Sequence, residues 1–287
     1  MADQRGILLI SCIDQPGIIA RVAGHLFSLG CNILTSDQHS DDQDNHFFWR
    51  IYFESRARPL PELKRELDAT MAGLLQWEEL RWQFHDAAKR DRLVILVSRL
   101  GHCLIDLLAR HRAGELDADI VGIVSNHRDL EKIAEPFGVP FTVISVAKDG
   151  KADAERALLA RLKELDAETA VLARYMQVLS GEFLRAWRKP IVNIHHGFLP
   201  AFAGARPYHQ AHDRGVKLVG ATAHYVTEEL DAGPIIAQAT TPVTHRDTVA
   251  DLTRKGKDLE VAVLASAVRA HLRKQVLLHR NRTIVFE

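Results

Sequence analysis

Between His85 and Asp91 the hydrophobic pattern of this chain changes in kind. Upstream, short extended runs and two helical stretches follow one another in the order βαββαβ; downstream, apolar strands are interleaved with helical stretches at regular intervals. A two-residue period and a 3.6-residue period build different surfaces, so their succession limits the sheets a chain can form. The change predicts a first domain over residues 1–85, a linker over 86–91 and a second domain over 92–287. At 287 residues each part is long enough to bury a core.

In the first part, Gly6–Cys12 is an apolar run. Asp14-Gln15-Pro16-Gly17 then predicts a helix start, with Asp14 as cap and the proline in the first turn. Ile18, Ile19, Val22, Leu26 and Leu29 recur at helical spacing, and Gly30 suits a left-handed terminator. Residues 32–38 and 47–53 flank the polar cluster 40–45 and read as a hairpin; 61–75 returns to helical spacing and 80–84 to alternation. The order is that of a ferredoxin-like unit. In the second part, strands are predicted at 93–97, 120–125, 141–144, 170–173 and 191–194, the pattern of a Rossmann-like, doubly wound α/β sheet. Residues 217–226 and 235–243 read as a later, partly antiparallel pair, and 248–276 as a long closing helix.

Charge narrows the function classes. Acidic and basic residues balance at 37 each, which offers no polycationic surface to a phosphate backbone or an anionic leaflet. Neither nucleic acid nor membrane is an expected partner. Three widely separated cysteines, Cys12, Cys31 and Cys103, fit neither a disulfide framework nor a zinc knuckle, and no leader pattern precedes the fold, so the expected setting is the cytoplasm. There is no G-x-G-x-x-G turn for a nicotinamide cofactor and no lysine-bearing phosphate loop. Histidines 195, 196, 209, 212 and 224 raise a metal reading, but no cysteine or Glu-x-x-His set completes it, and no metal is expected.

Ligands of open α/β sheets sit beyond the carboxyl ends of the strands, which directs attention to Asn193-Ile194-His195-His196-Gly197-Phe198-Leu199-Pro200. Side chains alternate along a strand, so Asn193 and His195 project from one face and bring an amide donor and an imidazole to one spot. Taken alone, the pair reads equally well as a turn cap and an ordinary buried histidine. Asp231, before Gly233-Pro234, reads by itself as a turn former. A hairpin led by the alternating run 221–226 would carry its carboxylate back to His195, where it would favour the charged imidazole and fix its orientation.

Asn193-Ile194-His195, Leu199-Pro200, Gly204, His209, Gly220-Ala221-Thr222, residues 230–236 and Gln238 together resemble the formyltetrahydrofolate-dependent formyltransferase family over about 92–279. Ser125-Asn126-His127, residues 175–180, residues 204–211 and Asn281-Arg282-Thr283 are most similar to its deformylase branch. The first domain resembles an ACT domain through Asp14-Gln15-Pro16-Gly17-Ile18 and Gly30-Cys31-Asn32-Ile33.

The resemblance implies one-carbon chemistry: hydrolysis of 10-formyltetrahydrofolate, with Asn193 and His195 stabilising a tetrahedral intermediate and Asp231 handling protons. It implies a pterin slot between Met176, Gln177, Val178 and Leu179 and the stretch from Val226 to Asp231, with Thr222, His224 and Gly204 also at the folate. The folate is substrate, and no separate cofactor is implied. Gln15, Gly17, Ile18, Asn32 and Ile33 are the implied site of an amino-acid effector in a homo-oligomer; a plain dimerisation module is the competing reading of that domain. A phosphorylated amine acceptor would need a glycine-rich turn after the first strand of the second domain. Ser98-Arg99-Leu100-Gly101-His102 stands there instead, with bulky residues that obstruct backbone approach, although Arg99 could itself bind an anion. An initiator-tRNA acceptor would call for a basic surface and a further C-terminal domain, and only a short tail is expected after the closing helix. Position 197 is glycine where the family more often has serine. A formyltransferase using a small amine and a folate-binding regulator without turnover are the alternatives.

Overall fold

The structure is a computed structural model that describes residues 4–56, 58–73, 77–147, 149–201 and 207–287. Contacts divide it into two compact units. One contains the chain up to Arg90 together with Lys274–His279 and Ile284–Glu287; the other contains Asp91–Arg273 and Arg280–Thr283.

The first unit runs β1 (Gln4–Ile13), α1 (Ile18–Ser28), β2 (Cys31–Asp41), β3 (His46–Ser55), α2 (Leu60–Gly73) and β4 (Arg81–Asp86). Its four strands form an antiparallel sheet in the order β2-β3-β1-β4, the ferredoxin-like arrangement the pattern predicts. The apolar run in β1 is continuous because both faces of that strand are covered. Leu8 and Ile10 pack with Val22, Leu26, Leu63 and Leu67 of the two helices. Ile7 and Leu9 pack with Phe48, Leu277 and Phe286. Helix α1 starts later than expected: Gly17, in the left-handed region at φ 92°, is the cap, and no side chain caps the helix. Gly30 ends it at φ 77°, as its position predicts.

The second unit continues with β5 (Asp91–Val97), α3 (His102–Arg112), β6 (Ala118–Ser125), α4 (Glu131–Ala134), β7 (Phe141–Val143), α5 (Lys151–Glu164), β8 (Thr169–Leu172), α6 (Gly181–Trp187), β9 (Ile191–His195), α7 (Pro207–Asp213), β10 (Leu218–Tyr225), β11 (Ile235–Pro242) and α8 (Val249–Leu272). Its seven-stranded sheet has the order β11-β10-β9-β8-β5-β6-β7. β5 to β9 are parallel, and β10 and β11 are antiparallel additions. The chain leaves β5 in one direction to build β6 and β7, then crosses to β8 and β9 on the other side. The point where the winding reverses therefore lies between β5 and β8, and a crevice opens beyond their carboxyl ends.

Two differences from the pattern concern the C-terminus. The closing helix stops at Leu272 rather than Val276, and Lys274 takes the left-handed conformation at φ 54°. The chain then forms a two-stranded sheet from β12 (Val276–His279) and β13 (Arg282–Val285). As a result Lys274–His279 and Ile284–Glu287 group with the first unit, not with a second domain running 92–287. Val276 and Leu277 continue the apolar spacing of α8, which hides the end of the helix; the polar turn at Arg280-Asn281 between two apolar runs is its real signature. Among the described residues, no helix is long and apolar enough to cross a membrane.

Candidate active site

The geometry of the site begins with the pairing of β9 and β10. The register sets Asn193 opposite His224 and His195 opposite Thr222, so all four side chains project from one face of the sheet. Asn193 donates from Nδ2 to His224 Nε2 at 3.1 Å, and His224 Nδ1 faces the Tyr225 carbonyl at 2.8 Å. A carbonyl only accepts, so Nδ1 carries the proton and Nε2 is the acceptor of a neutral ring. Burial pushes the His224 pKa below its ordinary value, against the opposing pull of the Tyr225 hydrogen bond and the Asp231 carboxylate, and keeps that tautomer. The ring thereby fixes which way the Asn193 amide points.

The carboxylate arrives by a tight return of the chain. Asp231 sits in the left-handed region at φ 55°. Gly233 lies so close to β10 that a Cβ there would come within 1.8 Å of the Tyr225 carbonyl oxygen, a space that only glycine leaves open. The Tyr225 N–H donates to Pro234 O at 2.9 Å, and Asn281 donates from Nδ2 to Ala232 O at 2.9 Å, holding the loop from both sides. Asp231 Oδ2 then stands 3.2 Å from His195 Nδ1, and Oδ1 stands 3.9 Å from His224 Nε2. The predicted convergence of Asn193, His195 and Asp231 is present.

These residues line a cavity of about 530 Å³, a volume in the range of small-molecule sites. Met176, Gln177, Val178, Leu179, His224, Val226 and Leu230 line it as well. Met176 and Val178 end an apolar strand region, where core positions are the usual outcome, yet they are 57% and 53% exposed; with Leu230 they make an apolar rim suited to a planar aromatic ring.

Thr222 corrects the sequence reading. It is fully buried and does not line the cavity. Its hydroxyl donates to Gly197 O at 2.9 Å and accepts from the Leu199 N–H and the Gln238 amide, each at 3.0 Å. It holds the turn that follows β9. Gly204 lies outside the described residues. Of the expected effector residues, Gly17 and Asn32 are exposed, Gln15 and Ile33 are half-buried, and Asn32 donates to Glu54 at 3.2 Å. Ile18 corrects the reading there, because its side chain is buried in the core of the first unit.

Among the described residues, histidines 195, 196, 209, 212 and 224 are not in a group whose ligand atoms converge. Among the described residues, the one group whose ligand atoms lie within 4.8 Å of one another is His102, Cys103 and Glu260. Sequence reasoning missed Glu260, Arg174 and Tyr208. A signal existed for Glu260: it stands on the stripe Leu252, Gly256, Leu264, Val268 and Leu272 that α8 buries, where a carboxylate is out of place without partners.

The formyl transferase family model matches residues 91–268, which makes the second unit a formyl transferase domain. A formyltetrahydrofolate deformylase of Synechocystis sp. is 46% identical over 286 residues, all of both chains. A solved structure of formyltetrahydrofolate deformylase from Pseudomonas syringae pv. tomato superposes with a TM-score of 0.94 at 40% identity, covering 99% of this chain and 95% of that one. A glycinamide ribonucleotide transformylase of Symbiobacterium toebii matches 69% of this chain and 95% of its own, with a TM-score of 0.65 at 32% identity. The chain belongs to the formyltetrahydrofolate deformylase family.

Proposed function

We infer that this chain hydrolyses 10-formyltetrahydrofolate to tetrahydrofolate and formate. Asn193, His195 and Asp231 are the catalytic groups in this reading. Water attacks the formyl carbon, and Asn193 and His195 donate to the oxyanion that develops on its oxygen. Asp231 accepts the proton from the attacking water and passes it to N10 as the carbon–nitrogen bond breaks. The pterin enters between Met176, Gln177, Val178 and Leu179 and the stretch from Val226 to Asp231, and His224 acts on Asn193 from the neighbouring strand.

The observation that carries the reading is the 3.2 Å approach of Asp231 to His195 at the wall of the same cavity as Asn193. A carboxylate on one imidazole nitrogen orients the ring and balances the positive charge that a ring donating from both nitrogens carries. No cofactor enters the scheme. For the first unit, an ACT-type role in binding an amino acid at Gln15, Gly17, Asn32 and Ile33, and in pairing chains, is supported by the ferredoxin-like topology and by β2 at a sheet edge. Three buried free cysteines support a cytoplasmic setting.

The test is formate release from 10-formyltetrahydrofolate by the purified full chain with no amine added. Turnover that required an added amine would replace hydrolysis with transfer; folate binding with no turnover in either condition would leave a regulator.

A further inference from the structure

The crevice between β5 and β8 has a second side, formed by the loop that follows β5, where Ser98 and His102 turn their polar atoms inward. Ser98 Oγ donates to Asn126 Oδ1 at 2.7 Å and accepts the Met176 N–H at 3.0 Å. Ser125 Oγ donates to Ser98 O at 3.4 Å and accepts the His127 N–H at 3.1 Å. Gly101 is pressed against Leu130, whose Cδ2 would lie 2.9 Å from an added Cβ. His102, the next residue, pairs through Nε2 with Glu260 Oε2 at 2.7 Å.

Glu260 is 1% exposed and saturated. Its Oε1 accepts the Tyr208 hydroxyl at 2.8 Å, and Arg174 Nε stands 3.5 Å from Oε2. Gly256, one turn earlier on α8, makes room for this: a Cβ there would fall 1.9 Å from the Tyr208 hydroxyl oxygen. Burial opposes ionisation of Glu260, yet the His102 hydrogen bond and the Arg174 charge outweigh it and hold the carboxyl below the ordinary carboxylate range. The cluster does not suit a metal. The Arg174 guanidinium already stands beside the carboxylate, and burial and the Glu260 charge push the Cys103 thiol up, away from the thiolate a metal would bind.

Arg174 and Tyr208 line the catalytic cavity, whereas His102 and Glu260 lie behind them. Arg174 also keeps two buried nitrogens, Nε and Nη1, with no hydrogen-bond partner among the described residues. Both atoms are buried and Nε faces Glu260, so what Arg174 brings to this wall is its fixed positive charge. A neutral water meets that charge with a lone pair, whereas a protonated amine meets it with like charge.

We propose that Tyr208, Arg174, Glu260 and His102 form an acceptor-excluding plug, which closes the cavity on the side from which an amine would reach the formyl carbon. The proposal rests on the hydrolytic reading above and names what determines its choice of acceptor.

The experiment incubates the full chain with 10-formyltetrahydrofolate carrying a labelled formyl carbon, with and without glycinamide, and measures formate and formylated glycinamide together. Transfer would join the amine nitrogen to the formyl carbon, break the carbon–N10 bond and send one amine proton to N10. The parent chain is expected to yield formate alone. Tyr208→Ala and His102→Ala, each checked for a cooperative melt, are expected to form formylated glycinamide at least about tenfold above the detection limit that the parent does not exceed. Tyr208→Phe, which keeps the ring, should stay with the parent. The ratio of formylated amine to formate is independent of overall rate, so a merely structural role would not move it. The plug is overturned if either alanine variant folds and its ratio stays at the parent's, or if the parent itself formylates glycinamide. A parent that releases no formate would overturn the hydrolytic reading and the plug with it, whereas formate from the parent and from folded variants that make no formylated amine would overturn the plug alone.

Discussion

The strands β9 and β5 are both buried, parallel and apolar, but their carboxyl ends serve different purposes. At the end of β9, Asn193 and His195 line the cavity beside His224 and Asp231, which fix their orientation, and Thr222 holds the turn that follows. At the end of β5, Ser98 is engaged with Asn126 and the Met176 amide, and His102 docks on Glu260. One strand end faces polar groups into the cavity, and after the other Ser98 and His102 pair within the protein. A doubly wound sheet makes a crevice at its reversal point; which side of it works depends on where the loops direct their hydrogen bonds.

The largest expected effect comes from removing the charge that orients β9's imidazole. Asp231→Asn should lower kcat/KM for formate release on the order of 10³-fold, with an unchanged melting temperature. A loss below tenfold would mean that the β9 end does not carry the proton chemistry. Asn193→Ala should follow, with a loss on the order of 10² to 10³ in kcat. Gly233→Ala attacks the same strand end through the backbone, by driving a methyl into the Tyr225 carbonyl. A stability loss of about 1–3 kcal/mol in denaturant melts is expected, together with a fall in kcat as Asp231 shifts; normal stability and normal kcat would show that the loop has another way to close.

The smallest effect is on acid stability, where the two sides meet. Burial and the Arg174 charge lower the His196 pKa from its ordinary 6.5 to about 4, and burial lowers that of His224. Because the folded-state values lie below the unfolded ones, each ring stabilises the fold above its ordinary value. That contribution declines as pH falls from about 6.5 to about 4, where only the unfolded chain takes up the proton. His196→Gln should flatten the melting temperature against pH in that window. An unchanged slope would show that His196 is not the titrating ring.

Much of this was legible in the chain itself. The change of hydrophobic period after His85 implied two sheets of different kind, and the two-residue period of β9 put Asn193 and His195 on one face, because side-chain alternation is a local property of any strand. Tertiary structure alone decided the rest. The return of Asp231 depends on the close approach that Gly233 allows to a carbonyl on another strand. The same long-range packing makes Thr222 a support for the turn rather than a cavity residue, and makes Glu260 a buried hub, because a hydroxyl or carboxylate takes its role from the partners that the fold brings within about 3 Å.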